Sequence, residues 1–129
     1  MPPRPGLTAT VTLTVTEADT ALAFRSGDVP VLATPRVVAL AEEATVRAVE
    51  SALTKGTTTV GYRVQLDHLA PTALGNTVEA EATLESVEGR RLTFRVSVTD
   101  NHGLVAAGRI TRVSVERERF LERAAGGEP

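Results

Sequence analysis

The sequence has no cysteine and no tryptophan, and only one tyrosine, three phenylalanines and one methionine. Without cysteine there are no disulfides, thiolate metal sites or thiol nucleophiles. That fits a reducing compartment, and a cytoplasmic location is the expectation. Phe24, Phe94, Phe120 and Tyr62 are too few to form a stacking platform for a run of bases. The core must therefore be built from valine, leucine and alanine. The net charge of −2 gives no basic field to recruit nucleic acid or anionic lipid. No apolar run approaches a membrane span, and the opening MPPRPG lacks the apolar core of a signal peptide. No nucleic-acid partner and no membrane partner are expected.

Other absences narrow the chemistry further. There is no GxSxG elbow. Lys55-Gly56-Thr57 is not a phosphate loop, since the order and the upstream glycines are wrong. Gly61, Gly103 and Gly108 do not make a dinucleotide fingerprint. The two histidines have no clustered carboxylates, so neither a metal nor another cofactor is expected.

What is present is periodicity. The chain of 129 residues fits one domain, with residues 7–123 as the folded unit and 1–6 and 124–129 as flexible tails. Residues 7–16 alternate Leu7, Ala9, Val11, Leu13 and Val15 against five threonines, a half-buried strand. Residues 17–33 read as a loop with a short helical turn. Residues 35–53 read as a helix, with Thr34 as N-cap, Pro35 at the first turn and Gly56 as the stop. Its alanines (Ala39, Ala41, Ala44, Ala48, Ala52) allow close approach to a sheet. Residues 57–68 form a second strand with Val60, Tyr62, Val64, Leu66 and His68 on one face. Strands at 77–87, 91–99 and 104–115 follow, the first two joined by a tight turn at Glu88-Gly89-Arg90 and the last two by Asn101-His102-Gly103. The apolar phase of the last strand changes between Ile110 and Val113, which predicts a bulge there. Residues 116–123 read as a short charged helix.

The order is strand, long helix, then four strands joined mostly by tight turns, which is α+β. One helix cannot cover both faces of a five-stranded sheet. Its nearly all-apolar circumference predicts a curved antiparallel sheet wrapped around one long central helix, the hotdog arrangement. Such a sheet leaves an edge strand and a face in need of a partner, so a homodimer is expected.

One carboxylate stands in an unusual place. At about 100° per residue, Glu43 lines up with Arg36, Arg47 and Glu50 on a solvated stripe. Glu42 lines up with Val38, Thr45, Val46, Val49 and Leu53. An ionised carboxylate on an apolar face is costly unless it is paired or functional. Alone, the bland readings stand beside this one: Glu42 snorkels to water, Thr34 only caps the helix, and His68 is structural. His102, in a turn, reads as a solvated loop residue.

The segments LATP at 32–35, the helix carrying Glu42, VGYRVQLDHLAPTALG at 60–75 and SVEGRRLTFRVSVTD at 86–100 are similar to the fluoroacetyl-CoA thioesterase group of hotdog-fold thioesterases. The resemblance runs from about residue 29 to 122. It implies a catalytic set of Thr34 before the helix, Glu42 within it and His68 after the second strand. It also implies that the backbone of Gly61 lies near the acyl group. The implied activity is hydrolysis of a short-chain acyl-CoA. Members specific for fluoroacetyl groups carry phenylalanines before the threonine as a lid; residues 26–32 here carry none.

The chemistry is coherent. A poorly solvated Glu42 is a more reactive nucleophile or general base. His68 exchanges protons near neutrality. The Thr34 hydroxyl can donate to the carbonyl oxygen or orient Glu42, and the Gly61 N–H can hold the carbonyl if its strand partner is absent. Arg90, Arg91, Arg109, Arg112 and Arg117 are candidates for the CoA phosphates, and the sequence does not choose among them. Two other readings remain at this stage. One is a non-catalytic acyl-CoA-binding hotdog. The other is a hydratase, for which the adjacent Asp67 and His68 would have to work from opposite faces of an extended strand.

Overall fold

The computed structural model describes residues 2–127. Met1, Glu128 and Pro129, which belong to the expected tails, lie outside the described residues. The strands are β1 (Thr8–Thr14), β2 (Thr57–His68), β3 (Thr77–Glu88), β4 (Arg91–Asp100) and β5 (Gly103–Glu116). The helices are α1 (Ala21–Phe24), α2 (Thr34–Val49) and α3 (Arg117–Ala124), with single 3-10 turns at Glu17–Asp19 and Glu50–Ala52. The long helix thus ends as a 3-10 turn rather than running on as α-helix to residue 53.

The five strands form one antiparallel sheet in the order β1-β3-β4-β5-β2. The chain lays down one edge, crosses the concave face as α2, lays down the other edge, and then fills the middle. In β1 the threonines at 8, 10, 12 and 14 are exposed, while Ala9, Val11 and Leu13 turn toward the helix. The helix buries Val37, Leu40, Ala41, Ala44, Ala48 and Val49 against Val78, Ala80, Ala82, Leu84, Phe94 and Val96. Ala41 and Ala44 are completely buried, and their small side chains permit that approach. Ala39 and Val46 are exposed, so the apolar circumference is not wholly covered within one chain.

The predicted face of β2 holds only in its second half. A register shift between Gly61 and Arg63 makes Tyr62 the extra residue of a bulge. Gly61 pairs with Arg112 and Val64 with Ile110, and both Arg112 and Ile110 are buried. Gly61 therefore faces the helix together with Val64, Leu66 and His68, while Val60 and Tyr62 turn to the outer face. In an unbroken strand positions 61 and 68, an odd number apart, would face opposite ways. The bulge predicted in β5 between Ile110 and Val113 is absent. The inward alternation continues through Ile110 to Arg112, and an arginine simply occupies an apolar-looking position. The β5 irregularity lies at Val105 instead, where the pairing with β4 shifts between Val98 and Thr99.

Candidate active site

Thr34 is the first residue of α2, and the cap position belongs to Ala33, whose backbone is extended. The Thr34 hydroxyl is thereby released from the expected capping role. It lies 2.7 Å from His68 Nδ1, at hydrogen-bond length. With the threonine donating, Nδ1 is the acceptor and the ring proton sits on Nε2. That Nε2 is buried and has no hydrogen-bond partner among the described residues. Burial lowers the His68 pKa below its ordinary value, and the Ala70 backbone nearby only partly opposes it. Burial thus favours the neutral imidazole.

The start of α2 is pinned from the preceding loop. Asp19 accepts hydrogen bonds from the Thr16 N–H and hydroxyl and from Arg36 Nε at 3.0 Å. Burial by itself raises the Asp19 pKa, but these Thr16 and Arg36 contacts outweigh it and hold the group below the usual carboxylate range. The Ala33 N–H donates to the Asp19 carbonyl and the Leu32 N–H to that of Thr72. The loop, helix start and β2 end together form a cleft of about 320 Å³. Its walls include Val29, Val31, Leu32 and Leu69, with Thr34 and His68 as polar groups.

Glu42 and Glu43 are closer in exposure than their helical faces suggest: their side chains are 34% and 41% exposed. Their partners separate them. Glu43 makes a surface i,i+4 pair with Arg47. Glu42 Oε2 lies 3.3 Å from Nη1 of Arg112, whose side chain is only 7% exposed. Arg112 is itself clamped, with Nε donating to Thr59 Oγ1 and Nη2 to the Thr59 carbonyl, both at 2.9 Å. The carboxylate also lies against Gly61, where an added Cβ would stand 2.7 Å from Oε2. Gly61 is thus the gap in which the carboxylate sits.

Within one chain the predicted site residues form two groups. Thr34 and His68 touch, while Glu42 joins Gly61 and Arg112 about 12 Å further along the helix axis, eight residues at about 1.5 Å each. The clamp by Arg112 and Thr59 is not evident in the sequence, where Arg112 looks like any strand arginine. The one local signal is that it falls on the inward phase set by Ile110. Arg109 pairs with Glu85, so of the candidate phosphate-binding arginines it and Arg112 are already committed. Asp67 is exposed and His68 half-buried, so the two do not share a face as a hydratase pair would. His102 lies in an exposed turn, its N–H donating to Asp100. Among the described residues no cluster of metal-ligating side chains occurs.

One long helix in the concave face of a five-stranded antiparallel sheet, with polar side chains gathered at the helix start and at the edge strand, defines a hotdog-fold protein. A hot-dog-like protein from Thermanaerovibrio acidaminovorans superposes with a TM-score of 0.87 at 26% identity, over 95% of this chain and 90% of that one. Residues 15–118 match the family model described as FlK, fluoroacetyl-CoA-specific thioesterase, and the chain belongs to that family. A solved structure of the fluoroacetyl-CoA thioesterase FlK superposes with a TM-score of 0.91 at 32% identity, over 98% of each chain. The fluoroacetyl-CoA thioesterase of Streptantibioticus cattleyicolor is 40% identical over 90 residues, which are 70% of this chain and 65% of that enzyme.

Proposed function

We propose that this protein hydrolyses the thioester of a short-chain acyl-CoA, as a cytoplasmic homodimer, with Thr34, Glu42 and His68 as its catalytic residues and Gly61 against the substrate carbonyl. The observation that carries the reading is the seating of Glu42: a carboxylate held by a buried arginine and fitted against a residue that lacks a side chain. Glu42 attacks the carbonyl carbon, directly or through a water whose proton it takes. A C–O bond forms and the C–S bond breaks. The consumed water supplies the proton of the departing thiol, while the Nε2–H of His68 donates a hydrogen bond to the sulfur as charge develops there and Thr34 fixes the ring for that contact. The final products are the free acid and the CoA thiol, with one water consumed.

Dimer formation would unite the two groups. Among the described residues the edge strand β2 runs twelve residues with no neighbour on one side, and Tyr62, Val64 and Val46 of α2 are 50%, 39% and 38% exposed. Long unpaired edges favour strand addition. Antiparallel pairing of two β2 strands about a two-fold axis between Val64 and Gln65 sets Gly61 opposite His68 of the partner subunit. Glu42 then meets the threonine–histidine pair supplied by the second chain, so each site is made by both. No described helix is long and apolar enough to cross a membrane. A cysteine-free chain acting on a CoA thioester suits the cytoplasm.

The aliphatic cleft lacks an aromatic lid and is expected to accept several short or branched acyl groups. The test is thiol release from acetyl-, fluoroacetyl-, butyryl- and phenylacetyl-CoA. Hydrolysis is expected, with a preference for fluoroacetyl over acetyl well below about a thousandfold, because single substituents in apolar pockets are separated by only about 1–3 kcal/mol. Binding without release of thiol from any of the four would replace this reading with a non-catalytic acyl-CoA carrier. Light scattering tests the assembly: a fully active species of about 14 kDa, one chain by mass, would contradict the shared site.

A further inference from the structure

The cavity of about 700 Å³ on the outer face of the sheet has no part in the chemistry above. It lies beneath α3, between the bulge of β2 and the start of β4. Its lining includes Val60, Tyr62, Arg90, Arg91, Phe120 and Arg123, and its acidic side chain is Glu88. Three arginines against one carboxylate make it cationic in a chain whose net charge is −2.

None of these guanidiniums pairs with a carboxylate among the described residues. Arg36, Arg47, Arg95, Arg109 and Arg112 each pair with a carboxylate. Among the described residues Arg63, Arg90, Arg91 and Arg123 have no such pair. Two of them gather instead on the tyrosine. Arg91 stands 4.7 Å from the Tyr62 ring centroid and donates to its hydroxyl at 3.1 Å, and Arg63 stands 5.6 Å from the same centroid. Unpaired guanidiniums around an exposed aromatic ring suit a ligand with both phosphates and a flat base. The bulge fixes the placement, since consecutive residues Gly61 and Tyr62 serve the carboxylate on the inner face and the groove on the outer one.

We infer that this groove binds the nucleotide end of the substrate, the 3′-phosphorylated ADP of CoA, with Arg90, Arg91 and Arg123 on the phosphates and Tyr62 or Phe120 against the adenine. The inference rests on the thioesterase reading. The pantetheine arm then rounds the β2 edge near Gly61 to bring the thioester to Glu42. In the dimer register given above, strand pairing ends at Gly61, so the edge before it stays open for the arm.

The experiment compares acetyl-CoA with S-acetylpantetheine, which carries the same thioester without the nucleotide, in wild type, Arg91→Ala, Arg123→Ala and the double variant. Thermal melts establish that each variant folds. The expected result is a KM for acetyl-CoA raised at least about tenfold in the double variant, with kcat within about twofold. S-acetylpantetheine kinetics should not change. Adenosine 3′,5′-bisphosphate should inhibit wild type and lose that inhibition in the variants. Unchanged KM and inhibition, or parallel changes with both substrates, overturn the assignment while leaving the hydrolase intact. If wild type cleaves neither thioester, the thioesterase reading falls by itself. Calorimetric binding of adenosine 3′,5′-bisphosphate then decides the groove: weaker binding in the double variant supports it, and equal or absent binding overturns it.

Discussion

Replacing Gly61 by alanine adds one methyl group at the point where the proposed chemistry is most sensitive. The new Cβ would stand 2.7 Å from Glu42 Oε2 and 3.8 Å from Arg112 Nη1. Ordinary contact begins near 3.4 Å, so the carboxylate oxygen must withdraw by roughly 0.7 Å. Gly61 is not among the residues with positive φ, so alanine fits its backbone. The atom that must move ends a flexible side chain, so folding loses little. Alanine in a strand is itself favoured over glycine by about 0.5–1 kcal/mol, which offsets a weakened contact with Arg112. Activity is another matter. A displacement approaching 1 Å costs on the order of 100-fold in rate, or about 2.7 kcal/mol of transition-state stabilisation.

The assay is kcat/KM by thiol release, paired with a thermal melt. The expected outcome is a loss of about 100-fold with Tm within a few degrees of wild type. Gly108→Ala is the contrasting control. Its Cβ would collide with the backbone oxygen of Gln65, which cannot step aside, so that variant should lose stability outright. Wild-type kcat/KM in Gly61→Ala would show that the chemistry does not depend on where this carboxylate sits. A large fall in Tm would show that the cost is one of folding rather than placement.

Four further outcomes follow from the same geometry. Glu42→Gln should lower kcat by at least about 100-fold, the scale of a lost acid–base or nucleophilic group, while Glu43→Gln, on the surface stripe with Arg47, should stay near wild type; equal effects on kcat would contradict the difference in their partners. Thr34→Ala should cut kcat by about tenfold, the worth of one hydrogen bond to His68, with Tm unchanged; a loss of about 1 kcal/mol in stability would instead restore the capping role. His68→Ala should reduce turnover at every pH and His102→Ala should not. Because burial holds the folded His68 pKa below 6.5, the unfolded chain binds the extra proton between 6.5 and that lower value. Its contribution to stability is full above pH 6.5 and is lost as pH falls through the folded pKa. Urea denaturation from pH 7.5 to 5 should show that loss in wild type and not in His68→Asn, and the opposite slope would refute the burial argument.

The sequence by itself determined the elements. Strict alternation in residues 7–16 and 77–87 and the helical period of residues 35–53 are local properties of a chain read one residue at a time, and they placed β1, β3 and the long helix, while apolar runs bounded by turn residues placed the other three strands. The same period put Glu42 and Glu43 on different helix faces before any contact was known. Tertiary structure decided what those faces meet. A bulge is defined only against a paired strand, so Tyr62 as the extra residue, and with it the shared inward face of Gly61 and His68, could not be read from β2 alone. Arg112 looked like a surface cation until pairing with Gly61 turned it inward onto Thr59 and Glu42. Thr34 reads as a cap from its neighbours, and only the fold, by bringing His68 across 34 positions of chain, gives its hydroxyl a different partner. Local sequence fixes which way a side chain points relative to its own element. What lies opposite is set by register and crossover, and those are settled by burial and pairing summed over the whole sheet.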